Sequence, residues 1–85
     1  MTGPAIEPMQ TAEPVRMIVI YENARDLPPG FAVRVWRVRP GVVSPGLLLA
    51  EGLPTIQRAR ELVPPGFINI GTFPGDDPRI AEVWL

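Results

Sequence analysis

"LPTIQRARELV", residues 53–63, is the stretch on which the fold turns. Thr55 suits a helix N-cap, because its side-chain oxygen can take one of the free N–H groups of a first turn. Ile56, Ala59, Leu62 and Val63 follow at helical spacing on one face, with Gln57, Arg58, Arg60 and Glu61 on the wet side. Pro64 and Pro65 end the helix, since neither ring fits a continuing turn. No other stretch of the chain carries this pattern. One amphipathic helix has nothing to cover unless the remaining chain supplies an apolar surface.

Outward from the helix, that surface reads as short strands. "VRMIVIY" (15–21) is apolar on both alternations, as a central strand buried on two sides would be. "FAVRVWRVR" (31–39) alternates: Phe31, Val33 and Val35 share one face, and Ala32, Arg34, Trp36 and Val38 the other. The pattern blurs at Arg37, where a bulge or an edge position would fit. "RPGVVSPG" reads as a loop with two Pro-Gly turns, and "LLLAE" (47–51) as a further strand candidate. After the helix, "FINIGTF" (67–73) and "RIAEVWL" (79–85) flank "PGDDP", the layout of a β-hairpin with a long loop. The expected fold class is α+β: a small antiparallel sheet of four to five strands with one helix packed on one face, in the order β-β-(β)-α-β-β. Residues 1–14, with Pro4, Pro8 and Pro14 and no apolar periodicity, are expected to form a flexible Pro-rich tail before a single domain at 15–85.

The words "ARDLPPGF" (24–31) and "ARELVPPGF" (59–67) repeat. Pro followed by Gly suits a turn in which Gly supplies positive φ, with Phe31 and Phe67 then beginning strands and turning inward. The flanks of the two copies differ, so the repeat reads as one turn device used at two strand entries.

Composition narrows the chemistry. Eighty-five residues make one domain, and without cysteine it has no disulfide to widen a thin stability margin. Pairing with a second copy or a partner would relieve that. Eight arginines against nine acidic residues leave a net charge of −1, which gives no general pull on nucleic acid or anionic membrane. The apolar runs are too short to span a bilayer, and the first residues lack the basic start and apolar core of a signal peptide. A soluble, cytoplasmic protein is the expectation.

With no His and no Cys, most nucleophilic, general-base and transition-metal arrangements are removed. Ser44, the single serine, lies in a turn-like "VSPG" with no base to activate it. The glycines of "PPGFINIGTFPG" lack phosphate-loop spacing. Asp76 and Asp77, with Glu82 nearby in sequence, could approach Mg²⁺ or Ca²⁺, but they fall short of the oxygen count such ions take and read as a turn. Neither a metal nor another cofactor is expected.

Two stretches remain as binding candidates. Val83, Trp84 and Leu85 end the sequence inside an expected strand, and an edge strand with bulky apolar groups invites a partner strand or a symmetric mate. Arg34, Trp36, Arg37 and Arg39 interleave guanidinium groups with an indole, as a nucleic-acid-binding strand would. Period 2, however, splits Arg34 and Trp36 from Arg37 and Arg39. The expected function is therefore a non-catalytic protein-protein interaction or accessory module, binding through a sheet edge either a protein partner or a second copy of itself as a homodimer. Nucleic-acid binding through the Arg/Trp strand is the alternative.

Overall fold

The computed structural model describes residues 15–85, so the tail expected at residues 1–14 lies outside the described residues. Among the described residues four strands form, β1 (Val15–Glu22), β2 (Phe31–Arg39), β3 (Val42–Leu53) and β4 (Ile80–Trp84), with one helix, α1 (Ile56–Arg60), between β3 and β4. All neighbouring strands are antiparallel, in the order β3-β2-β1-β4. The domain is thus α+β, with a four-stranded sheet and one short helix.

The double-sided apolar run becomes an interior strand for the reason its composition implies. Ile18, Val19 and Ile20 are all buried, with Ile18 and Ile20 on one face and Val19 on the other. Ile18 and Ile20 cluster with Val33 and with Ala59 of α1, while Phe31, Val35, Ile56, Val63 and Phe67 pack around them partly buried. The apolar alternation of β2 therefore holds, and its Val33 face is the one turned toward this cluster.

Three expectations about the strands are corrected. The "RPGVVSPG" stretch holds one turn, not two: the chain reverses at Pro40–Gly41, and Pro45 and Gly46 lie inside β3. Proline is tolerated there because β3 is an edge strand, where a missing N–H need not break a ladder. The irregularity expected at Arg37 falls elsewhere. Arg37 pairs on both sides, with Arg16 and Ser44, and the register slips against β3 lie between Phe31 and Trp36. Gly46 follows from that slip, since a Cβ at this position would stand 2.8 Å from the Val35 carbonyl oxygen.

The third correction concerns the fifth strand. Of "FINIGTF", only Asn69 forms a β-bridge, to Trp84. Ile68 exchanges two backbone hydrogen bonds with Leu85, both 2.8 Å, and the Ile70 N–H donates to the Val83 carbonyl at 2.8 Å. The loop beyond takes the chain away: Gly71 has φ +75°, and its N–H bonds the Asn69 side chain. A segment of three residues pairs antiparallel with the outer edge of β4, as a hairpin arm would, and extends no further.

The helix is shorter than its apolar pattern. Thr55 caps it, Oγ1 accepting from the Arg58 N–H at 3.2 Å. After Arg60 the turns tighten, with Leu62 N–H bonded to the Ala59 carbonyl and Val63 N–H to that of Arg60. Leu62 is consequently exposed rather than inward.

The repeated Pro-Pro-Gly turns share a backbone device but not a setting. Gly30 and Gly66 both have positive φ, +113° and +98°, and Phe31 and Phe67 both pack on the core. A Cβ on Gly30 would meet the Leu53 carbonyl oxygen at 2.6 Å, whereas one on Gly66 would meet nothing. The first turn is pressed against the end of β3; the second is open. Phe31 begins a strand, and Phe67 leads only into the bridge segment.

Candidate functional site

The acidic residues of the C-terminal loop are engaged within the fold. Asp76 accepts from the Phe73 N–H and Asp77 from the Arg79 N–H, both at 2.8 Å, so each carboxylate shapes its own turn. Glu82, on β4, does not join them. It is 7% exposed, and Arg60 Nε donates to both its oxygens at 3.1 and 3.0 Å. Trp84 Nε1 donates to Oε1 at 3.0 Å. The Arg60 hydrogen bonds hold the Glu82 carboxyl below the usual carboxylate range, burial opposes them, and the Trp84 bond adds to the lowering. Sequence reasoning placed Arg60 on the wet side and missed this pair. Two residues separated by the whole helix-to-strand connection give no local signal of contact.

Of the terminal trio, Val83 is buried and Trp84 packs partly buried against the core, while Leu85 is exposed. The outer edge of β4 at these positions is already hydrogen-bonded by residues 68–70.

The four members of the Arg/Trp stretch divide between the two faces. Trp36 pairs with Met17 and Arg34 with Val19 on one side, whereas Arg37 pairs with Arg16 on the other. Arg39 follows Arg37 by the period of the strand. Trp36 Nε1 donates to the Tyr21 hydroxyl at 2.9 Å, and burial pushes the Tyr21 phenol up. With Arg34, Asp26, Leu27 and Pro45, these two rings line an open cleft of about 300 Å³.

The opposite edge of the sheet is different in kind. Among the described residues β3 pairs with β2 alone, so the N–H and C=O groups along its other side have no strand partner there. From Val42 to Ala50 it carries no charge, and Val42, Val43, Leu47 and Leu49 are all exposed, Leu47 by 66%. Leu47 and Leu49 also wall a groove of about 430 Å³ on the helix side, with Ile18, Val35, Pro64 and Phe67 behind them. Arg37 lines the same groove. Sequence reading found the "LLLAE" strand but not its place at the edge, since strand order depends on which neighbours the later β4 takes.

Among the described residues, no helix is long and apolar enough to cross a membrane. No protein-family model matches the chain, and neither a curated protein nor a solved structure matches it.

Proposed function

We propose that this domain is a non-catalytic protein-interaction module that engages its partner through the free edge of β3. The observation that carries the reading is that edge: twelve residues long, unpaired on one side among the described residues, uncharged from Val42 to Ala50, with Leu47 and Leu49 turned to solvent. Edge strands are ordinarily blunted by charge, by bulges or by shortness, because their open backbone groups template a further strand. Here no charge blunts the edge before Glu51, and what irregularity it has comes from Pro45 and the register slips against β2 between Pro45 and Leu53. Main-chain hydrogen bonds would supply affinity, and the exposed leucines beside the groove would supply selectivity. The role asks for no catalytic group, in keeping with Asp76, Asp77 and Glu82 already holding partners inside the fold.

The test is a photo-crosslinking residue placed at Leu47, with an identical probe at exposed Arg58 as control, in the native host. Adducts to a protein chain, its own or another, from position 47 and not from position 58 are expected. Equal yields at both positions would remove the reading.

A further inference from the structure

We propose that the helix-side groove binds a free acyl carboxylate, its head held by Arg16 and Arg37 and its chain laid over Ile18 and Val35. The site lies on the sheet face behind the β3 edge and takes a small molecule, so it is independent of the interaction-module reading above. Arg16 and Arg37 are direct partners across the β1–β2 ladder, and Ile18 and Val35 are the next pair on the same face. Both arginines are exposed, and all four residues line the groove together with Leu47, Leu49 and Phe67. The result is a concavity of about 430 Å³ with a cationic end and an apolar floor. That is the size of an ordinary small-molecule site.

Charge complementarity names the head group. Like charges directly opposite on a ladder repel each other. Arg37 has Arg16 on one side and uncharged Ser44 on the other, so neither ladder sets a carboxylate beside it. Among the described residues the one ion pair is Arg60–Glu82, which involves neither arginine of the groove. An anion seated between the two guanidinium groups replaces that repulsion with two charge-assisted contacts. Those groups are the only polar side chains in the lining. They match the two oxygens of a carboxylate, whereas a phosphate ester brings a third oxygen with no donor side chain to meet it. Gly46 helps to place one of them: a Cβ there would stand 3.8 Å from the Arg37 Nε, so this side chain lies close against the β3 backbone. The remaining walls are hydrocarbon, and an acyl chain gains with each methylene it buries among them. A wholly apolar ligand would leave the arginine pair unanswered.

Calorimetric titration of the full chain with dodecanoate, kept below its micellar concentration, tests the inference alongside NMR shifts of the same samples. One saturable site is expected, with shifts centred on Leu47, Leu49 and Phe67. Decanoate should bind roughly tenfold more weakly, because two fewer methylenes are buried. Arg16→Gln and Arg37→Gln should each weaken dodecanoate roughly tenfold. Neither should lower the melting midpoint of the unliganded chain, since each removes a like-charge contact. Arg58→Gln, on the exposed side of α1, should bind as the parent does. Decan-1-ol, which has the chain length of decanoate without its charge, should bind more weakly than decanoate. Absence of saturable binding would overturn the inference, as would equal affinity for decanoate and decan-1-ol, or shifts confined to the opposite face around Trp36. Binding to phosphatidylglycerol vesicles without binding to free dodecanoate would also overturn it, giving the groove to a membrane surface instead. The crosslinking result at Leu47 stands or falls separately from all of these.

Discussion

Arg60 of α1 and Glu82 of β4 form an ion pair between two elements whose backbones do not lie against each other. The α1 backbone lies against β1, β2 and β3 and not against β4, so this guanidinium–carboxylate contact is a side-chain bridge across the gap. Both its members were legible as charged residues, yet only the folded chain brings them together.

Acid should expose that bridge. The folded-state carboxyl of Glu82 titrates below its ordinary value of 4.5, so the unfolded chain takes up its proton first as pH falls. The stabilisation is whole above that ordinary value and is lost as pH falls through the lower folded-state value. Arg60→Gln should lower the melting midpoint at neutral pH and flatten its decline below pH 4.5. A decline as steep in the variant as in the parent would assign the acid sensitivity to other carboxylates.

The phenol of Tyr21 should move the other way. It is the sole tyrosine, so the phenolate absorbance reports one site. Burial, only partly offset by the hydrogen bond from Trp36, holds the proton on past the ordinary value of 10.0. The contribution to stability is complete below that value and lost as pH rises through the higher folded-state one. Spectrophotometric titration should give a raised midpoint in the native protein and one near 10.0 in denaturant. Tyr21→Phe, which leaves the Trp36 N–H without its acceptor, should cost about 1 kcal/mol in a denaturant melt.

The two Pro-Pro-Gly turns should separate on substitution. Gly66→Ala meets open space and bears only the strain of positive φ, about 1–3 kcal/mol. Gly30→Ala bears the same strain and also drives a methyl group into the Leu53 carbonyl, so it should cost clearly more. Paired denaturant melts decide the matter, and equal losses would mean that the end of β3 yields without penalty.

What could be read in advance followed from local constraint. The interior position of β1 was visible because no period-2 assignment of "MIVI" leaves a wet face, and the cap at Thr55 because capping is settled within four residues. The edge identity of β3 was hidden by "VSPG", whose proline and glycine signal a turn in any local reading. Only against β2 does Pro45 become an edge residue and Gly46 a point of close approach. The hairpin arm at 67–73 failed for a related reason. Its apolar residues promised a strand, but Gly71 at positive φ and the Asn69 side-chain bond turn the backbone away after one bridge. As for the candidate site, "LLLAE" was recognisable as apolar strand, while its exposure depended on β4 taking the far side of β1.

That arrangement has a kinetic consequence. β1 is flanked by its near neighbour in sequence, β2, and by β4, which is synthesised long afterwards. The β1–β2–β3 meander closes through short loops and can assemble early, whereas the β1–β4 ladder must wait for a distant segment and carries the larger loop-closure entropy. During that wait the most apolar strand of the chain has one side open. The growing chain therefore passes through a stage in which β1, not β4, forms the second edge of the sheet, and it is then that misassociation between nascent copies would begin.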